Sequence, residues 1–317
     1  MSARGTITSH STARRLVAAT VAAATLFAAG MATAAGAPGT ASQVAAAVAK
    51  APSLRVLPAN LTPSLQSAAT DTALVATPSV AFCDGGGPQQ YCGGFGDPKG
   101  TKTMVLVGDS HAFMWFPAVN AIAKAARWRL YFLSLYGCPV AGLDVWYVKI
   151  KADYTACSAW RPKVIARIDR LNPNLVIVAE THYTRDGADK PITNAQFQSG
   201  LVRSLNALRS SRMHKVLLGD TVAIANPVEC LAANPTAIQR CSASATNPTE
   251  VAQRAVDVAA ARATRTLYVN ELPWTCTKVC TEVIANMVVY YYSQHFTATY
   301  AAYLSGVLRQ AIAADLR

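Results

Sequence analysis

A chain of 317 residues, 52% hydrophobic and 15% charged, can bury one large core or two small ones. Its mean hydropathy of +0.21 is too low for a multi-span membrane protein. The net charge of +12 comes without a basic run interleaved with aromatics, which argues against a nucleic-acid binder.

The first feature in chain order is an export signal. Arg4, Arg14 and Arg15 precede an Ala-rich apolar run that ends in Ala32-Thr33-Ala34, small residues that suit signal peptidase, so residues 1–34 read as a signal peptide. The competing reading is a retained anchor, although the run is short for a span. Without this segment, 26 Lys and Arg face 17 Asp and Glu, and the resulting +9 suits loose adhesion to anionic cell-envelope polymers. Residues 35–80, rich in Ala, Ser, Thr and Pro, read as a linker that carries an amphipathic stretch at 42–49. The domain proper is placed at 81–317 and opens on a Gly-rich loop.

From Thr103 onward, short β-branched runs alternate with longer helical ones. Strands are expected at 104–107, 129–133, 175–179, 215–218 and 266–269, with helices at 113–126, 159–171, 194–209, 251–263 and 297–315. This order predicts a three-layer α/β/α domain around one doubly wound, flavodoxin-like parallel sheet of five strands. In such sheets ligands bind beyond the carboxyl ends of the strands, which singles out the residues just after each strand.

Eight cysteines fall into local pairs: Cys83 with Cys92, Cys138 with Cys157, Cys230 with Cys241 and Cys276 with Cys280. An even count behind an export signal argues for disulfides, and nearest-neighbour pairing rests on closeness alone. The spacings are too irregular for zinc knuckles and no histidine stands beside them, so no metal or other cofactor is expected.

The first strand runs into Gly108-Asp109-Ser110-His111 ahead of a helix. A hydroxyl at such a turn sits at the mouth of the sheet, and its amide, at the positive end of the helix, can face an oxyanion. The plainer reading makes Ser110 a helix N-cap. A serine nucleophile needs a base. His295, after the last strand and before the last helix, should project over the same edge as Ser110; His182, after the third strand, also reaches that edge. His111 is expected to point away from the serine, and His214 belongs at the opposite end of the sheet. Gly137, in Tyr136-Gly137-Cys138-Pro139, could offer a second oxyanion amide or form an ordinary turn.

Taken in order, several motifs resemble the SGNH (GDSL-like) hydrolase superfamily. They are the Leu57-to-Leu65 segment, Cys92-Gly93-Gly94-Phe95-Gly96-Asp97-Pro98, Val107-Gly108-Asp109-Ser110-His111-Ala112, Gly137-Cys138-Pro139, Cys157-Ser158-Ala159-Trp160-Arg161, Leu218-Gly219-Asp220-Thr221 and His295-Phe296-Thr297. The specific likeness is to the extracytoplasmic domain fused behind integral-membrane acyltransferases that O-acylate cell-surface polysaccharides. It implies Ser110 as nucleophile, His295 as base, and the amides of Ser110 and Gly137 as the oxyanion hole. Two departures stand out. The family aspartate three residues before the histidine is replaced by Tyr292, with Glu180 and Asp220 as candidate substitutes. The family asparagine after the third strand is replaced by Glu180-Thr181-His182, where His182 or Thr181 becomes a speculative third oxyanion donor. The expected function is a secreted serine esterase or O-acyltransferase acting on acylated cell-envelope glycans, with an integral-membrane acyltransferase as a candidate partner. The alternative is a catalytically degenerate module that binds a glycan or such a partner.

Overall fold

The computed structural model describes residues 37–76, 92–210 and 213–317. The export signal at 1–34 and Cys83, with its expected bond to Cys92, lie outside the described residues. Six strands form the central sheet: β1 (Phe95–Gly96), β2 (Thr103–Gly108), β3 (Arg129–Ser134), β4 (Leu175–Ala179), β5 (His214–Leu218) and β6 (Leu267–Val269). Their spatial order is β1-β3-β2-β4-β5-β6. Every residue of β2 and β4 is buried, as continuous apolar runs require at the centre of a parallel sheet covered on both faces.

The last five strands are parallel to one another, as expected from the alternation. The sixth member, β1, is an antiparallel addition at the β3 edge that the five-strand expectation omitted. Two residues carry no periodicity. This strand is held by tertiary bonds, from the Gly96 amide to Asn120 Oδ1 at 2.8 Å and from the Asp97 amide to the Trp128 carbonyl at 2.8 Å.

The main helices are α1 (Ala41–Lys50), α2 (Ser110–Ala126), α3 (Thr155–Leu171), α4 (Asn194–Ala207), α5 (Pro248–Ala263), α6 (Ala298–Tyr303) and α7 (Ser305–Ala311). From β2 the chain crosses to β3 in one direction, then returns over β2 to β4, β5 and β6 in the other. Right-handed crossovers therefore put α2 on one face of the sheet and α3, α4 and α5 on the other. The reversal leaves a crevice between the carboxyl ends of β2 and β4, the place where such sheets bind ligands. The single terminal helix expected at 297–315 is two helices that meet at Leu304. Tyr300, Ala301, Leu304, Val307 and Leu308 make one buried stripe through both, so periodicity alone does not register the break.

α2 draws the C-terminal segment to the nucleophile side of the sheet. It buries Phe113, Met114, Trp115 and Phe116, each contributing about 1.5–3 kcal/mol on transfer from water. The Trp115 ring meets Phe296 edge-on at 5.2 Å. Residues 37–76 lie on the domain as well. α1, opened by the Thr40–Gln43 capping box, buries Val44 and Val48, and Thr62 pairs with Met287. Disulfides join Cys138 to Cys157, Cys230 to Cys241 and Cys276 to Cys280.

Candidate active site

The turn after β2 is built so that Ser110 need not cap its own helix. Gly108 passes so close to β4 that a Cβ there would collide with the Ala179 carbonyl. Asp109 is the N-cap of α2: its Oδ1 accepts the His111 amide at 2.8 Å and its Oδ2 accepts the Thr181 amide at 3.0 Å. Its backbone carbonyl accepts the Ser134 hydroxyl at 2.9 Å. Burial pushes the fully enclosed Asp109 carboxyl up to about 6, against the opposing pull of His111 and the two amides. With the capping role filled by Asp109, the Ser110 hydroxyl lies 2.8 Å from Nε2 of His295.

His295 sits on a short hairpin, 290–296, in which Tyr292 pairs with His295 around Ser293 at φ +34°. The Phe296 amide donates to Met114 Sδ at 3.4 Å, Thr221 Oγ donates to the Gln294 carbonyl at 2.6 Å, and Gln294 returns a bond to the Thr221 carbonyl at 3.2 Å. The imidazole Nδ1 is buried with no side-chain hydrogen-bond partner, and the ring is hydrogen-bonded by the Tyr292 backbone. Its ring lies among His111, Tyr291 and Tyr292 at centroid distances of 4.8, 5.7 and 6.1 Å. Burial, reinforced by the His111 charge, lowers the His295 pKa to about 3, so the ring is a neutral acceptor at physiological pH.

His111 does not point away, contrary to the expectation from its place beside the serine. Its Nδ1 is 2.8 Å from Asp220 Oδ1, with only 2% of the side chain exposed, and its ring meets His295 edge-on. The reason is tertiary: Asp220, just beyond β5, supplies a hydrogen-bonded carboxylate that compensates a cation at a helix N-terminus. Burial works to lower the His111 pKa, but Asp220 outweighs it and lifts the value to about 8. Burial likewise works to raise Asp220, and the charge and hydrogen bond of His111, with His182 and the Thr181 hydroxyl, together override it and hold the carboxyl below its usual range.

The other candidates are placed as follows. Asp220 comes into the cluster on His111, and its Oδ2 accepts the Thr181 hydroxyl at 2.8 Å. Glu180 faces the loop after β3, where its Oε2 accepts the amides of Val140 and Ala141, the latter at 3.1 Å. Burial, with Asp109 nearby, raises its pKa to about 8. His182 holds Asp257 Oδ1 at 2.7 Å through Nε2 and stacks on Phe197 at 4.0 Å. Gly137 has φ +71°, and the Tyr147 ring fills the space a Cβ would need. The Cys138–Cys157 disulfide and the Arg161 Nε bond to the Pro139 carbonyl, at 3.1 Å, anchor the loop beside it. His214 opens β5 at the far end of the sheet and pairs with Asp315 at 2.8 Å. Asp257 and Thr221 were not foreseen. The sequence signals for Thr221 were its place in Leu218-Gly219-Asp220-Thr221 and its position three residues beyond β5, at the ligand-binding edge.

The model of the SGNH domain (fused to AT3 domains) matches residues 75–310. The chain belongs to this family. No curated protein matches the sequence. Among solved structures, the chain is similar to the periplasmic domain of the lipopolysaccharide acetyltransferase of Salmonella ser. Paratyphi A, with TM-score 0.57 and 13% identity over 76% of this chain and 95% of that one. A GDSL-like lipase from Bacteroides thetaiotaomicron matches with TM-score 0.40 and 13% identity over 78% and 98%. A carbohydrate esterase family 2 enzyme from Corynascus thermopiles matches with TM-score 0.41 and 16% identity over 68% and 67%. The fold is that of the SGNH domain. In this family the domain is fused to AT3 domains. Among the described residues no helix is long and apolar enough to cross a membrane.

Proposed function

We propose that this protein is an exported serine esterase or O-acyltransferase that works on acyl, typically acetyl, groups of cell-envelope glycans. The observation that carries the reading is the 2.8 Å contact between Ser110 Oγ and a neutral His295 Nε2 at the switch point of the sheet. Ser110 Oγ attacks the ester carbonyl and its proton passes to His295. The amides of Ser110, at the start of α2, and Gly137 hold the developing oxyanion. Collapse breaks the ester C–O bond, the departing alcohol takes the proton from His295, and an acyl-serine remains. Water or a sugar hydroxyl then attacks the acyl carbon, giving up its proton to His295; the acyl–Oγ bond breaks, the free acid or acylated sugar leaves, and His295 returns the proton to Ser110 Oγ. The export signal, the three disulfides and the positive surface suit an extracytoplasmic, wall-adhering site, with an integral-membrane acyltransferase as candidate acyl donor.

The second reading, a glycan- or partner-binding module without turnover, draws on Tyr292 standing where an acid would support His295. Hydrolysis of 4-nitrophenyl acetate, with and without an oligosaccharide acceptor, separates the two. The wild-type protein is expected to exceed a Ser110→Ala control by at least about 10²-fold. Equal rates in the two proteins, together with saturable glycan binding in both, would establish the second reading.

A further inference from the structure

No carboxylate stands at the triad position before His295, and beside the Tyr292 backbone bond the ring that faces Ser110 is braced by a second imidazole. Resting on the Ser110–His295 reading above, we propose that His111, anchored by Asp220, is a positioning residue that orients the His295 ring and sets its basicity through its own charge. Three observations converge. The His111 and His295 rings meet edge-on, with centroids at 4.8 Å and planes at 66°. His111 Nδ1 is 2.8 Å from Asp220 in a site almost closed to solvent. Thr221, directly after Asp220, exchanges two hydrogen bonds with Gln294, directly before His295, so the β5 end holds both imidazoles in one frame.

The electrostatics follow from the groups that face each ring. Asp220, Asp109 and Glu180 surround His111 and favour its proton, which puts its titration near pH 8. His111 and Lys149 face His295 and disfavour a proton there, while Asp220 opposes them. Tyr291 and Tyr292 flank the His295 ring, and Ser110 takes its Nε2. Below pH 8 the charge on His111 therefore keeps His295 neutral but weakly basic. When His111 loses its proton, the repulsion disappears and His295 becomes the stronger base for Ser110.

The test is the rate at which a fluorophosphonate probe labels Ser110, read by intact mass between pH 5 and 9.5 and corrected with Ser110→Ala. In the wild-type protein the rate is expected to rise about tenfold through a limb near pH 8, the effect of roughly one unit of basicity. In His111→Gln the limb should vanish; in Asp220→Asn it should move to lower pH, because the group that retains the proton is gone. The same limb in all three proteins would overturn the proposal. If either variant fails to fold, imidazole NMR of the wild-type protein decides: His295 signals must shift with the His111 midpoint, and independent midpoints would overturn the coupling. Absence of labelling in the wild-type protein at every pH would sink the nucleophile reading, while the NMR titration would still decide the link between the two rings.

Discussion

The two halves of the Ser110–His295 pair are supported in different ways. The serine turn is fixed by groups with full hydrogen-bond partners: Asp109 takes two amides with its carboxylate and a hydroxyl with its carbonyl, and Gly108 lies against β4. The histidine hairpin is held by backbone and packing contacts, and the ring nitrogen that an acid would normally engage has no side-chain partner, only the Tyr292 backbone. The nucleophile is thus preorganised by the centre of the sheet, whereas the base depends on its neighbours for both orientation and charge. In a serine protease, disabling the triad aspartate lowers turnover by about 10⁴-fold. A base held without a carboxylate is therefore expected to be slow, and the contrast between the two halves is where the account can be pressed.

The largest change should come from equalising them. Tyr292→Asp restores a carboxylate three residues before His295, and kcat/KM for 4-nitrophenyl acetate should rise about 10- to 100-fold in steady-state kinetics. An unchanged or lower value in a folded variant would show that the hairpin backbone does not present position 292 to Nδ1. A smaller effect is expected on the well-supported side. Burial raises the Glu180 carboxyl from its usual value to about 8, so its contribution to stability is complete below about pH 4.5 and is lost as pH rises through 8. Glu180→Gln keeps an acceptor for the Val140 and Ala141 amides and removes that titration. Thermal unfolding should show the variant gaining on the wild type between pH 5 and 8.5, by on the order of 1 kcal/mol. A residual slope should remain, since His111, also raised to about 8, contributes stability below about pH 6.5 that is lost through the same upper limit. Parallel curves for the two proteins would place the Glu180 carboxylate in ordinary solvent contact.

How much could be read beforehand follows the same division. Strand 175–179 was legible to the residue, and β2, β3, β5 and β6 to within one residue at each end, because buried parallel strands are unbroken β-branched and apolar runs bounded by breakers. The placement of Ser110 and His295 at one edge followed from topology alone. What escaped depends on partners distant in sequence. β1 is two residues long and exists through Asn120 and Trp128; the orientation of His111 is decided by Asp220; and the loops carrying Glu180 and Gly137 take their shape from one another. The absence of an acid before His295 was visible as Tyr292, but the second imidazole beside the first was not, because nothing in a tetrapeptide tells which way its last side chain turns at a helix start.

The central claim is that Ser110 is the atom acylated and His295 the group that takes its proton. Peptide-level mass spectrometry after rapid quenching with an activated acetyl ester tests it directly. The account predicts a single acetyl adduct on Ser110, formed at least about 10³-fold more slowly in His295→Gln. An adduct on another residue, or one on Ser110 that forms as fast without His295, would contradict it.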